Sequence, residues 1–133
     1  MLKQLSIYAE NKKGALQAMT NALYEAGINI WGSVTNDGAE YGINRMVVSD
    51  PDKAKEVLTE KGYLCRFVDV LAVEIEDKPG ALNTLLTALL DSNVNVDYTY
   101  LSFNRDSSTP VMILHTADPE EVEICLRAKG SVL

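Results

Sequence analysis

The stretch Asn11-Lys12-Lys13-Gly14-Ala15-Leu16 recurs as Asp77-Lys78-Pro79-Gly80-Ala81-Leu82, and no other feature constrains the fold as strongly. Each copy follows an alternating apolar run and opens an apolar-periodic segment, so each reads as a strand-to-helix turn. From Gln4 to Trp31 the chain matches Val70 to Asp97 at a constant offset of 66, and nine of those 28 positions are identical. Further on, Asp50-Pro51 answers Asp118-Pro119 and Lys61-Gly62 answers Lys129-Gly130, now at an offset of 68. The chain is a tandem repeat with two extra residues in its second copy.

Within the first copy, Leu5, Ile7 and Ala9 alternate with Gln4, Ser6 and Tyr8, the pattern of a half-buried strand. Ala15, Leu16, Met19, Ala22, Leu23 and Ala26 then form one helical stripe, which Gly27 stops. Ile28 to Thr35 and Tyr41 to Val48 read as strands joined by a hairpin at Asn36-Asp37-Gly38. Asp50 caps a second helix with Pro51 in its first position, and Gly62 ends it. A fourth strand, Tyr63 to Asp69, meets the next one, Val70 to Glu76, with no linker between them.

The second copy follows the same plan. Its first helix carries Ala81, Leu82, Leu85, Leu86 and Leu89, and Asn93 stands in for the terminal glycine. Val94 to Asn104 and Pro110 to Thr116 form a hairpin around Arg105-Asp106-Ser107-Ser108, and Asp118-Pro119 opens the last helix with Val122, Cys125 and Leu126 inward. Only Ser131-Val132-Leu133 remains for a last strand, which is therefore short or supplied by another chain. The order strand, helix, strand, strand, helix, strand occurs twice. It predicts an α+β protein of two tandem ferredoxin-like (βαββαβ) units, residues 1–68 and 69–133, with antiparallel sheets and helices on one face.

Each half is only about 65 residues, too small for a secure core of its own, so the halves are expected to pack together and the chain to oligomerise, as a dimer. A net charge of −7, from 12 basic and 19 acidic residues without a basic cluster, argues against a nucleic-acid partner. No apolar run approaches the ~18 residues that a membrane span needs, and the N-terminal residues enter a strand pattern without a signal peptide. Cys65 and Cys125 lie far apart and read as buried thiols. The expected setting is cytoplasmic.

The turn, the helix after it and the strands Ile28-Asn29-Ile30 and Val94-Asn95-Val96 resemble the ACT domain family, small ferredoxin-like modules that bind amino acids and regulate metabolism. The resemblance covers the whole chain as two copies. It implies a ligand at the first turn and helix start of one unit, against the second strand of a partner unit. Carried over, the ligand-binding candidates are Asn11, Lys12, Lys13, Gly14, Ala15 and Leu16, then Asp77, Lys78, Pro79, Gly80, Ala81 and Leu82, with Asn29, Ile30, Asn95 and Val96 on the strand side.

Physical chemistry is compatible with that implication. A helix N-terminus offers unpaired N–H groups to a carboxylate, and Asn11 or Asp77 can accept from an ammonium. Glycine at positions 14 and 80 leaves room for close backbone approach. Lys13 replaces the proline at Pro79, so the first turn should be less rigid, and the two sites need not bind equally. Each turn also reads, by itself, as a helix start and nothing more.

Arg45 is mid-strand opposite an apolar counterpart, Ile113, and serves either a salt bridge or a ligand carboxylate. Trp31, Tyr98 and Tyr100 read as sheet-face packing. His115, the only histidine, has no metal-ligand spacing and no nucleophile beside it. No metal, cofactor or catalytic constellation is predicted. The expected function is non-enzymatic: an amino-acid-binding sensor or regulator, or alternatively a regulatory-subunit-like module that binds an amino-acid biosynthetic enzyme.

Overall fold

The structure, a computed structural model, describes residues 1–36 and 41–128. The elements run β1 (Leu2–Glu10), α1 (Ala15–Glu25), β2 (Ile30–Asn36), β3 (Tyr41–Val48), α2 (Pro51–Glu60), β4 (Leu64–Glu74), α3 (Ala81–Asp91), β5 (Tyr98–Phe103), β6 (Pro110–His115) and α4 (Pro119–Ala128). The α+β, ferredoxin-like class expected from the repeat is the one observed. The chain divides into a compact N-terminal unit, Lys3–Val68, and a C-terminal unit from Asp69 onward that also takes in Met1–Leu2. The expected hairpin tip at Asp37-Gly38 and the expected last strand at Ser131–Leu133 lie outside the described residues.

In the N-terminal unit β3 pairs antiparallel with both β1 and β2, with Leu5 opposite Met46 and Val34 opposite Arg45. Its core is built from Leu5, Ile7, Met19, Leu23, Met46, Ala54 and Leu58, where the inward face of β1 and β3 meets one stripe from each helix. The half-buried reading of β1 needs amendment. Gln4 and Ser6, on the face opposite Leu5, are also buried, and Gln4 Nε2 donates to Ser6 Oγ at 3.2 Å. Burial of polar side chains is tolerable only with such partners.

In the C-terminal unit β6 pairs antiparallel with β4 and β5, setting Leu71 opposite Leu114 and Tyr98 opposite His115. Leu71, Val73, Leu85, Leu89, Met112, Leu114, Val122 and Leu126 form its core. The two strands expected to meet at Asp69 are one continuous strand, β4, because nothing in Leu64–Glu74 breaks the extended backbone. Conversely, Val94–Asp97 are not in the strand expected there, and β5 begins only at Tyr98.

The helix ends behave as their residues dictate. Gly27 and Gly62 adopt φ of 73° and 92°, and Asn93 does the same work at 58°. Beyond each, a backbone N–H reaches back into the helix: Ile28 to Leu23 O at 3.0 Å, Val94 to Leu89 O at 2.9 Å, Tyr63 to Leu58 O at 3.0 Å. Asp50 caps α2 by accepting from the Lys53 N–H at 3.2 Å. Not every member of the expected apolar stripes is inside. Leu16 is 46% exposed, Leu82 and Leu86 are 37% exposed, and Cys125 is only half-buried.

Removal of a core side chain should therefore be far more costly than removal of an apolar one that faces out. Leu114→Ala is expected to lose about 2–5 kcal/mol, whereas Leu101→Ala, half-exposed on β5, should stay within about 0.5 kcal/mol. Urea unfolding of the two variants checks the contrast.

Candidate functional site

The two turns have one geometry despite their different sequences. Gly14 has φ 85° and ψ −7°, and Gly80 has φ 87° and ψ −6°. The Lys12 N–H donates to Glu10 O at 3.1 Å and the Lys78 N–H to Glu76 O at 3.0 Å. Ala15 and Ala81 donate back to Lys12 O and Lys78 O at 3.2 and 3.3 Å. The proline at Pro79 therefore makes no visible difference to the turn it occupies. Glycine is needed for the positive φ rather than for want of a Cβ, since an added Cβ at either position would meet nothing within 4 Å.

Neither α1 nor α3 has a side-chain cap, and neither has an acidic residue in its first turn. A helix starting this way presents backbone N–H groups and a partial positive charge to whatever lies in front of it. Lys12 and Lys78 are drawn instead to Glu10 and Glu76, each with a 2.9 Å ion pair. Bonding to the Glu10 carboxylate raises the Lys12 ammonium above its ordinary value near 10.5.

Asn11, Lys12, Gly14, Ala15 and Leu16 line one cavity of about 320 Å³ in the N-terminal unit. Its opposite wall comes from Thr35, Asn36, Gly42 and Asn44, which the sequence did not single out. Asn44 is 5% exposed and donates through Nδ2 to Thr35 Oγ1 at 2.8 Å and to Ser33 Oγ at 3.1 Å. Gly42 stands so near the Asn36 carbonyl oxygen that a Cβ would be 3.0 Å from it. Lys13 lies on the other flank of the turn, against Lys61, Gly62 and Tyr63. The only sequence signal for this wall was the polar run Thr35-Asn36 in a strand.

A cavity of about 330 Å³ in the C-terminal unit gathers Lys78 and Ala81 with Glu74, Ile75, Glu76 and Thr84, positions whose counterparts in the first copy line the cavity on the Lys13 flank of the turn. Asp77, Pro79, Gly80 and Leu82 are exposed at the turn and are not among its lining residues. Asn29 and Ile30 sit at the far end of α1 from the turn, in an open depression with Gln17 and Tyr24. Asn95 lies in a cavity at the far end of α3, and Val96 is half-buried against the C-terminal core. Among the described residues and in the cavities given above, none of these four strand-side residues lines a cavity together with the turn of its own unit.

Arg45 is half-buried on β3 opposite Ser6 and Val34. Trp31 is half-buried on β2 and Tyr100 is 6% exposed on β5. Tyr98 stacks flat on His115, with ring centroids 4.8 Å apart and planes 2° from parallel. His115 Nδ1 is 2.8 Å from Asp97 Oδ2, a pairing that sequence spacing did not reveal because it spans the hairpin. Among the described residues no group of three or more His, Cys, Asp or Glu side chains is arranged to hold a metal ion, and no helix is long and apolar enough to cross a membrane.

Two units of this fold, each opened by the same uncapped glycine turn, define a pair of ferredoxin-like modules. The ACT domain pair family matches residues 1–131, and the chain belongs to it. ACT domains are regulatory rather than catalytic modules. A solved structure of a protein from Bacteroides thetaiotaomicron is 30% identical, with a TM-score of 0.89 over 98% of this chain and 90% of that one. The regulatory subunit of aspartate kinase from Thermus thermophilus is similar at 18% identity and TM-score 0.67, over 95% of this chain and 88% of that one. Its counterpart from Thermus flavus gives 20% and 0.62, over 96% and 91%. No curated protein matches the sequence.

The turn geometry sets two expectations. Gly80→Ala, though sterically unopposed, should destabilise the chain by roughly 1–2 kcal/mol through the left-handed backbone alone, measurable by urea unfolding. Glu10→Gln should bring the Lys12 titration back down, as followed by side-chain ¹⁵N NMR. Because the folded value is raised, what the pair contributes is present below the unfolded value and lost as pH rises through the folded one, in the alkaline range.

Proposed function

We propose that the chain is a non-enzymatic, amino-acid-sensing regulatory protein, with the cavity at the Asn11–Leu16 turn as its main ligand site. The observation that carries this reading is the uncapped N-terminus of α1 opening into a cavity with a polar opposite wall. A free amino acid would place its carboxylate at the helix N–H groups and its ammonium toward Asn11 and the Asn36 carbonyl. Leu16, exposed beside the turn, gives the side chain an apolar contact. The turn at Asp77–Leu82 is the weaker site, since its wall lacks the Asn44 network.

Asn29, Ile30, Asn95 and Val96, which lie apart from the turns, are assigned to a second copy's side of the ligand in a homodimer. Arg45 is assigned a supporting place rather than a ligand contact, because it lines none of the cavities described. Residues 1–68 and 69–133 are taken as the two sensing modules of a cytoplasmic protein. Ligand would act by linkage, favouring the arrangement in which it is held best.

A second reading is a module that docks on an amino-acid biosynthetic enzyme as its regulatory subunit. Its support is that the Thermus proteins of like fold are regulatory subunits of aspartate kinase. It differs from the first in needing no ligand to bind its enzyme.

A thermal-shift screen against the common amino acids separates the two. A ligand at 100 times its dissociation constant adds about 2.7 kcal/mol, a shift of several degrees for a chain of this size. One responder, lost in Asn44→Leu but kept when Thr84 is changed to Leu, is the expected result. A flat screen sinks the sensor reading and leaves the enzyme-docking one.

A further inference from the structure

In the C-terminal unit the strand order is β4-β6-β5, so β5 is an edge. The Ile75 N–H donates to Pro110 O at 3.0 Å and the Asn104 N–H to Thr109 O at 2.8 Å. Those two bonds set the alternation of the antiparallel ladder. Tyr98, Tyr100 and Ser102 turn their backbone groups to β6, and Thr99, Leu101 and Phe103 turn theirs outward. Among the described residues no strand pairs with that outer side. A row of unpaired N–H and C=O groups is a template for another strand, and folds blunt it with a bulge, a proline or a charge. The edge strand of the N-terminal unit is blunted in this way, its ladder to β3 shifting register between Ile30 and Gly32. β5 has six residues in unbroken register, with no bulge, proline or charge.

The side chains beside this edge are apolar as well. Leu101 and Phe103 are on the helix-bearing face, opposite Met112 and Pro110, and are 49% and 54% exposed. Leu82, Leu86 and Leu90 follow one another by four residues on α3 and are exposed too, Leu90 by 74%. They are on the flank of α3 nearer β5, because the other flank, with Ala81, Thr84 and Ala88, closes a cavity against β4. The first unit has the same layout, with Leu16 set beside Thr35 and with Thr20 and Tyr24 beside Ile30. Five of the ten exposed large apolar side chains among the described residues are gathered here, a concentration that marks an interaction surface.

The repeat shows that this apolar character is particular to the second copy. At an offset of 66, Thr20 becomes Leu86 and Thr35 becomes Leu101. Core packing does not call for either exchange, since both leucines face out. Nor does a charged residue occur in 79–90 or in 98–104, in a chain that is 23% charged with a net charge of −7. Two copies of an acidic protein can therefore meet here without setting like charges against each other.

We propose that this surface is a homodimer interface in which β5 pairs antiparallel with β5 of a second copy, about a two-fold axis at Leu101. The inference rests on the homodimer reading given above and deepens it by naming the surface; it needs no ligand. Centring the pair on Leu101 sets Thr99 opposite Phe103 of the other copy, so the outward N–H and C=O groups of all three residues gain partners. The same register brings Asp97 of each copy toward Arg105 of the other, opposite charges at both ends of the strip. The helices of both copies fall on one face of the extended sheet, where the two leucine stripes approach across the axis. Such a contact is isologous and closes at two chains. The small cost given above for Leu101→Ala is that of the separate chain; in the pair the same change acts on association.

Sedimentation equilibrium of the full chain should give twice the mass of one chain, with the Leu101 and Phe103 amides protected from hydrogen exchange. Leu101→Lys sets two ammonium groups against each other on the axis, and Leu86→Lys puts a charge in the stripe. Each should raise the dimer dissociation constant by at least about tenfold and expose those two amides, leaving Tyr100 and Ser102 as they were. Ile124→Lys, at an outward apolar side chain of α4, should leave the dimer intact. Leu101→Glu should dissociate it too, yet a mixture of the Leu101→Lys and Leu101→Glu chains should pair again, because the register opposes position 101 to itself. A monomeric wild type would overturn this proposal and the homodimer reading together, leaving the edge to a strand of another protein. A dimer that survives both lysine variants with the Leu101 and Phe103 amides exchanging freely, or a mixture that stays monomeric, would overturn the surface alone.

Discussion

Everything in this molecule hangs on a backbone angle that L-residues other than glycine rarely adopt. At Gly14 and Gly80 the chain must leave a strand, reverse, and start a helix that packs back on the same sheet, and φ near +85° is how it does so. The flanking residues are free to differ: Asn-Lys-Lys and Asp-Lys-Pro produce the same hydrogen bonds to within a tenth of an ångström. A second consequence is chemical. With glycine as the cap residue no side chain occupies the helix N-terminus, so the turn that makes the fold also leaves donors available to a ligand.

The two units show how one backbone can be given unlike chemistry. In the first, Asn44, Ser33 and Thr35 form a hydrogen-bonded wall near the turn; in the second the position of Asn44 is taken by Met112, which goes into the core. At the other end of the helices the polarity is reversed. The N-terminal unit closes that end with its own lysine, while the C-terminal unit leaves it acidic and open. Divergence after duplication has thus changed both ends of the unit, each in its own way.

The fold was legible because its signals are local. Alternation in Leu5, Ile7 and Ala9, the 3.6 period after each glycine, and Asp-Pro at two helix starts depend only on residues close in sequence. What was not legible depends on contacts across strands. The Asp97–His115 pair and the Tyr98 stack arise from the register of β5 against β6, which no spacing rule encodes. The wall of the first cavity was missed for the same reason: Gly42 is set opposite Ala9 by pairing, not by sequence distance. The exposure of Leu16 and Leu82 shows the limit of periodicity too, since the stripe of a helix reaches the core only after the first turn has cleared the sheet.

The distribution of the rarest side chains gives the protein a built-in pair of optical and magnetic labels. Trp31, the single tryptophan, is half-buried on β2 in the N-terminal unit, and His115, the single histidine, is stacked on Tyr98 in the C-terminal unit. Indole fluorescence will therefore follow one unit and imidazole proton resonances the other, with no labelling chemistry. Whether the units melt as one cooperative body or in sequence becomes a matter of comparing two spectroscopic curves from the same sample.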